Sequence, residues 1–255
     1  AAAAFAGNRL DLGADLFSPR REASRTGLGP FDGSADSDSK YFLIPEFGYN
    51  HMLNPDVALG VTVYGNGGMN TNYPGGQIAA GNCGPTAANL LCGDGKLGVN
   101  LMQLIVAPTA AYKLAPNHSI GISPLIGYQR FKANGLQAFG GASSDPNNLT
   151  NRGNDDAFGY GVRIGYMGKI TPTVTIGAAY ASKMQFDEFS KYKGLFAEQG
   201  GFDIPENYNL GVAWQATPVF RLAVDYQRIN YSGVNSIANP STNMAQLGAD
   251  NGPGF

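Results

Sequence analysis

Along much of the chain, apolar residues stand at every second position. Over residues 207–216, Tyr208, Leu210, Val212 and Trp214 form one set, and Asn207, Asn209, Gly211, Ala213 and Gln215 the other. Successive side chains of a β-strand point to opposite faces, so this pattern predicts a strand with one apolar face and one small or polar face. Phe220, Leu222, Val224 and Tyr226 against Arg221, Ala223, Asp225 and Gln227 repeat it. Phe158, Tyr160, Val162, Ile164 and Tyr166 against Gly159, Gly161, Arg163 and Gly165 do the same, as do runs starting at Val57 and Val174. Helical periodicity of 3.6 residues is absent. Short Pro-containing turns fall at Leu53-Asn54-Pro55-Asp56, Leu114-Ala115-Pro116-Asn117, Ile170-Thr171-Pro172-Thr173 and Ala216-Thr217-Pro218-Val219, each suited to a tight hairpin. Between them run long polar connections, roughly 18–39, 66–96, 133–155, 188–206 and 233 onward, so short and long links alternate. Nine strands are predicted, near 9–18, 40–53, 56–65, 97–113, 117–132, 156–169, 173–187, 206–216 and 219–232.

Several of these segments exceed the usual soluble strand and reach the nine to eleven residues that a tilted strand needs to cross a bilayer. Tyr41, Tyr64, Tyr112, Tyr128, Tyr180 and Tyr231 stand near strand ends, where an outer-membrane barrel carries its aromatic girdles. The fold class expected is all-β, an antiparallel transmembrane β-barrel in a bacterial outer membrane. A soluble β-sandwich is the alternative, since alternation also describes a sheet with one wet face. Against it, every apolar face is rich and every opposite face is small or polar, as lipid contact requires. Nine is odd, whereas bacterial single-chain barrels close with an even number, and an open edge in lipid leaves backbone groups unpaired. Residues 1–255 are therefore expected to be a single barrel domain that is incomplete. Asn251-Gly252-Pro253-Gly254 before Phe255 reads as a loop, and Ala1 to Gly7 lacks a basic n-region and a cleavage pattern, so the start is expected to be processed or truncated. Pro45, Pro108 and Pro124 within strands read as local bends.

Composition narrows the function. Glycine makes up 36 of 255 residues and charged residues 14%, against roughly 25% charged in soluble domains; this excludes a disordered tail and a coiled coil. A net charge of −2 supplies no surplus for gripping a nucleic-acid backbone, so no nucleic-acid partner is expected. No stretch approaches the roughly 20 apolar residues of a membrane-spanning helix; even 101–111 is interrupted by Gln103. The two cysteines, Cys83 and Cys92, lie in a Gly/Asn/Pro-rich stretch that fits a small disulfide ring in an oxidising compartment. A zinc site is the weaker reading, because His51 and His118, the only histidines, have no ligand spacing. No metal and no cofactor are expected. An enzyme is not expected either: Asp155-Asp156 and Asp187-Glu188 sit at loop boundaries, where solvated charge is the default, and no nucleophile elbow or P-loop is present.

Five segments then carry a resemblance: Gly65-Asn66-Gly67-Gly68-Met69-Asn70-Thr71-Asn72-Tyr73; Gln103-Leu104-Ile105-Val106-Ala107-Pro108-Thr109; Tyr128-Gln129-Arg130-Phe131-Lys132 with Gly135-Leu136-Gln137-Ala138-Phe139; Tyr192-Lys193-Gly194-Leu195-Phe196-Ala197-Glu198-Gln199-Gly200; and 247–255. In this order they resemble the OmpP1/FadL/TodX family of outer-membrane transporters for long-chain fatty acids and hydrophobic compounds such as aromatic hydrocarbons. The resemblance covers nearly the whole chain. It implies a 14-stranded barrel blocked by an N-terminal hatch, with substrate captured by outer loops and released sideways through a gap in the wall. It also implies a hatch before Phe5 and about five closing strands after Phe255. The family's lumenal carboxylate-binding arginine has no clear counterpart, Gly135 standing near its place, a departure that slightly favours an uncharged hydrocarbon.

An apolar substrate resists leaving a greasy site for water by about 25 cal/mol per Å², so passage must run from one apolar pocket to the next. Substrate capture is expected from Met69, Tyr73, Ile78, Leu90 and Leu91, in a loop that is otherwise an ordinary surface connection stapled by Cys83 and Cys92. Lateral exit is expected at Gly65-Asn66-Gly67-Gly68, where glycine permits a bulge and where the family's third strand is kinked; a flexible loop start is the alternative. Alternation turns Arg163, Lys183, Arg221 and Asp225 to the lumen, to meet a substrate carboxylate, one another or a hatch. Arg130 falls on the outward set near the rim, facing lipid headgroups. The partners expected are a hydrophobic small molecule and outer-membrane lipid and lipopolysaccharide, around a monomeric barrel. The competing functions are an adhesin or phage-receptor barrel and a general porin, which would show a charged constriction.

Overall fold

The computed structural model describes residues 3–5 and 7–254. Its strands are β1 (Arg9–Phe17), β2 (Glu22–Arg25), β3 (Gly33–Asp36), β4 (Phe42–Asn54), β5 (Val57–Tyr73), β6 (Leu97–Ala115), β7 (His118–Asn134), β8 (Asp155–Lys169), β9 (Val174–Ala181), β10 (Gln185–Phe186), β11 (Asn207–Thr217) and β12 (Phe220–Ile229). Nine of them form one antiparallel wall in the order β1-β4-β5-β6-β7-β8-β9-β11-β12, with β10 beside β8, while β2 and β3 make a separate hairpin. Among the described residues no helix is long and apolar enough to cross a membrane.

Hairpin by hairpin, the short turns hold this order. Asn54 Oδ1 accepts from the amides of Asp56 and Val57, both at 2.9 Å. Thr171 Oγ1 accepts from Val174 N at 3.0 Å, and Thr217 Oγ1 from Phe220 N at 3.0 Å. At three of the four tight reversals a polar side chain thus accepts from the backbone of the turn. Along the strands the two faces separate as alternation requires. Leu43, Ile122, Ile164, Leu210, Leu222 and their row-mates are exposed on the outer face; the inner face carries Leu101, Ile105, Leu125, Phe131 and Ala157 in a buried cluster.

Three departures from simple strands matter. β5 runs to Tyr73, eight residues past the expected end at 65, because Gly65–Tyr73 keeps pairing with β6 through a register shift between Gly65 and Gly67 that leaves Asn66 as the extra residue. The connection expected from 66 therefore begins only after Tyr73. β9 stops at Ala181 where 187 was expected, and its path resumes as β10 after a one-residue shift: Ala181 lies opposite Arg163, but Gln185 lies opposite Tyr160. The expected connection at 18–39 contains the β2–β3 hairpin.

Two ladders are also incomplete. β4 pairs with β5 only from Asn54↔Val57 to Phe47↔Val63; above that height Phe42–Glu46 is laddered only to β1 and Tyr64–Tyr73 only to β6, with Asn72 also tied to the 37–38 segment, its carbonyl accepting from Asp38 N and its amide donating to Ser37 Oγ. Between β6 and β7 the register passes from Val106↔Ile126 to Ala110↔Ile122 with nothing paired between. Pro108 and Pro124 stand opposite each other in that stretch. Each keeps its place in its other ladder, opposite Val61 and Val162, so the amide hydrogens they lack are those that would have crossed this seam.

Candidate functional site: the wall bulge and the inner segment

The connection 188–206 reads as polar in the sequence, yet with the residues from 182 onward it folds back against the inner face of the wall. Its Phe189, Tyr192, Leu195, Phe196, Phe202 and Ile204 join Leu101, Ile105, Leu125 and Phe131 in one buried cluster. Phe131 of β7 is the hub, with ring centroids 4.9 Å from Tyr192 and 4.6 Å from Phe196, both edge-on, the arrangement aromatic quadrupoles favour. Inner-face glycines make room: a Cβ on Gly159 would lie 2.5 Å from the Phe186 ring, and one on Gly161 would lie 2.8 Å from Met184 Cγ. The segment turns at Glu198 and Gln199, both with φ of 56°, followed by Gly200 at 112°. Side chains rarely adopt this left-handed backbone outside a constrained site. Burial pushes the Tyr192 phenol above its ordinary value, and its hydroxyl donates to Gly153 O at 2.6 Å. Asp145, below its usual value through Asn148 first and Lys193 second, ties the neighbouring outer connection to this segment with a 3.1 Å ion pair to Lys193.

A chain of amides runs from this buried segment to the wall. Gln129 Nε2 donates to Phe202 O at 2.8 Å, Gln103 Nε2 donates to Gln129 Oε1 at 3.0 Å, and Asn66 Nδ2 donates to Gln103 Oε1 at 3.1 Å. Gln129 is 0% exposed. On the other side of the bulge, Tyr64 accepts a hydrogen bond from Arg163 Nη2, whose guanidinium lies over the Tyr64 ring at 5.7 Å.

The exit run Gly65-Asn66-Gly67-Gly68 thus lies inside β5, at the height where the β4–β5 ladder ends, and is not the start of a loop. The capture set is divided. Met69 and Tyr73 are in β5, and Met69 and Leu91 are each 39% exposed; Ile78 and Leu90 are buried, at 0% and 4%. Ile78 bridges to Ala88, and Leu90 packs against the β2–β3 hairpin beside Gly33 while its carbonyl accepts from Arg25. Apolar residues in a long outer connection are expected to meet substrate, but these two supply the loop's own core. Cys83 and Cys92 are joined in a disulfide.

Of the lumenal charges, Arg163 faces Tyr64, and Asp225 lies on the inner face against Gly211. Arg221 lies opposite Gln215 on the edge strand β12. Lys183 lies in the irregular stretch between β9 and β10, where Ser182 and Met184 both stand against Gly161; it pairs with Asp203 of the infolded segment at 2.8 Å and donates to Gly233 O. Simple alternation fails there because a bulge inserts one residue. Arg130, on the outward set, pairs with Asp156 at 2.7 Å. Gly135 has a left-handed φ of 82°, and its carbonyl accepts from the buried Asn89.

A wall of long antiparallel strands, apolar outside and filled inside by an infolded connection, defines a barrel of the bacterial outer membrane. The model of the family described as outer membrane protein transport protein (OMPP1/FadL/TodX) matches residues 19–251, and the chain belongs to that family of transport proteins. Among solved structures it is similar to the P. putida toluene transporter TodX (TM-score 0.65, 18% identity, covering 90% of this chain and 63% of that one). The Ralstonia pickettii toluene transporter TbuX gives 0.63, 19%, 90% and 64%. A Pseudomonas aeruginosa FadL homologue gives 0.55, 14%, 89% and 60%. The chain thus spans less than two thirds of these relatives, and at such identities the likeness shows the shared fold. No curated protein sequence matches the chain.

Proposed function

We propose that the protein moves hydrophobic small molecules, long-chain fatty acids or aromatic hydrocarbons, across the outer membrane by capture at the outer loops and sideways release through the wall at Gly65–Gly68. The relatives named as toluene transporters agree with that substrate class. The observation that carries the reading is the ladder between β4 and β5. It ends at Phe47↔Val63, and immediately above it β5 holds a glycine-flanked bulge. Backbone groups in lipid must be bonded within the protein, so a wall unpaired at one seam is the cheapest place to let an apolar molecule pass. Capture rests on Met69 and Leu91, the exposed members of the set, with Tyr73 at the strand end. Arg163, which pairs with no carboxylate among the described residues, is where an acidic headgroup would be held on the way.

The test is Gly67→Val with Gly68→Val in the full-length protein. A Cβ at Gly67 would lie 3.1 Å from Gln103 Oε1 and one at Gly68 3.0 Å from Leu101 O, so branched side chains crowd the bulge without touching the turns. Slower uptake of a fluorescent fatty acid and of toluene, with normal insertion in the membrane, is the expected result. Uptake at the original rate refutes lateral passage at this place.

A further inference from the structure

We infer that Gln103 and Gln129 are positioning residues that couple the infolded segment to the wall: the state of 182–206 is read at Asn66 through a line of side-chain amides. Gln129 is the central observation. It is fully buried, its neighbours Leu101, Leu125, Phe131 and Phe202 belong to the apolar cluster, and a polar group placed there is costly unless hydrogen-bonded. A leucine would fill the site more cheaply, so the amide does something packing does not. It makes two bonds in opposite directions, donating to Phe202 O and accepting from Gln103 Nε2. Gln103 repeats the polarity, donating inward to Gln129 and accepting from Asn66. Every donor therefore points from the wall toward the infolded segment, the orientation in which successive amide dipoles reinforce one another.

Asn66 is the inserted residue of the bulge, and β4 contributes no partner at that height. The line of amides is thus one of the few ties on this stretch of β5 besides its ladder to β6. Displacing Phe202, as an apolar molecule taking over the aromatic cluster would do, removes the first acceptor and slackens the line as far as Asn66. The functional consequence rests on the proposed lateral exit; the coupling itself does not.

Hydrogen exchange on the full-length protein in outer-membrane vesicles separates the two. Gln129→Met keeps the volume and removes both bonds. Exchange of amides 66–68 should rise about tenfold, the equivalent of about 1.4 kcal/mol, with no change over 174–181. Coupling is reciprocal, so Asn66→Ala should speed exchange at 202–204, a shift that a merely structural Gln129 would not produce. Adding Asn66→Ala to Gln129→Met should give no further rise at 202–204. Unchanged exchange at 66–68 in Gln129→Met overturns the inference, and so does an equal rise over 174–181, which would make the amides part of general stability. If exchange responds as expected while fatty-acid uptake is unaffected in the same variant, the coupling stands and the lateral-exit reading falls.

Discussion

Stapling the unpaired seam between β4 and β5 is the most direct test of the transport route. A Cβ at Gly65 would stand 3.2 Å from Ile44 Cγ2. One further C–C bond of about 1.5 Å bounds the distance between the two Cβ positions at about 4.7 Å, and a disulfide needs roughly 3.5–4.5 Å. Ile44→Cys with Gly65→Cys, in a background where Cys83 and Cys92 are serine, should therefore cross-link with little backbone movement. Closing a ring of about this length stabilises a fold by about 3 kcal/mol, so the oxidised protein should insert normally and resist heat at least as well as its parent. The assay is accumulation of radiolabelled fatty acid and of toluene by cells, before and after reduction, with each single-cysteine variant as a control. If the seam is the door, oxidation should cut uptake more than tenfold and dithiothreitol should restore it. Quantitatively cross-linked protein that transports as fast as the reduced form would falsify passage between β4 and β5, and would send the search for the route to the lumen.

Two other outcomes follow from the outer connections. Cys83→Ser should loosen the loop around the buried Ile78 and Leu90 by about 2–3 kcal/mol of local stability, seen as faster protease cleavage within 74–96 and little change in uptake unless Met69 and Leu91 are also displaced. Asp145 has its folded value below the ordinary 3.8, through Asn148 and then Lys193. The stability it adds is fully present above about pH 3.8 and is lost as pH falls through the lowered value. Protection of 135–150 against hydrogen exchange should therefore drop only in acid below that point, and Asp145→Asn should remove the drop; a loss centred near neutrality contradicts the assignment.

Most of the wall was legible because its two faces meet different media. Tyr208, Leu210, Val212 and Trp214 stand exposed on the outer face while Gly211 and Ala213 turn inward, and that separation is written at period two, so eight of the nine strands of the wall path, β9 being the exception, end within a few residues of expectation or, for β5, run beyond it. What alternation cannot express is an inserted residue. The bulges at Asn66 and at Ser182–Met184 each shift the register by one residue, so simple alternation loses β5 after Gly65 and β9 after Ala181. The inner segment was hidden for another reason. A connection rich in Lys, Glu and Gly reads as solvated, although Phe189, Tyr192, Leu195, Phe196, Phe202 and Ile204 in its 19 residues, 188–206, are more apolar than a surface loop needs. That excess was the available signal. Gln129 gave a fainter one, as a large amide in an inward row otherwise made of Ser123, Leu125, Gly127, Phe131 and Ala133.

The facing prolines of β6 and β7 divide the longest hairpin of the protein into an upper and a lower zipper. The lower one, from Ala110↔Ile122 down to the turn, can close as soon as the turn forms; the upper one, from Val106↔Ile126 to Gly98↔Asn134, must find its partner separately. A slip of two residues would set each proline against a carbonyl that expects a donor, so the same pair that interrupts the zipper also locks its alignment. The interruption stays within this one hairpin, because β5–β6 and β7–β8 pair straight across the same height, so the prolines set the alignment while the flanking ladders carry the wall through.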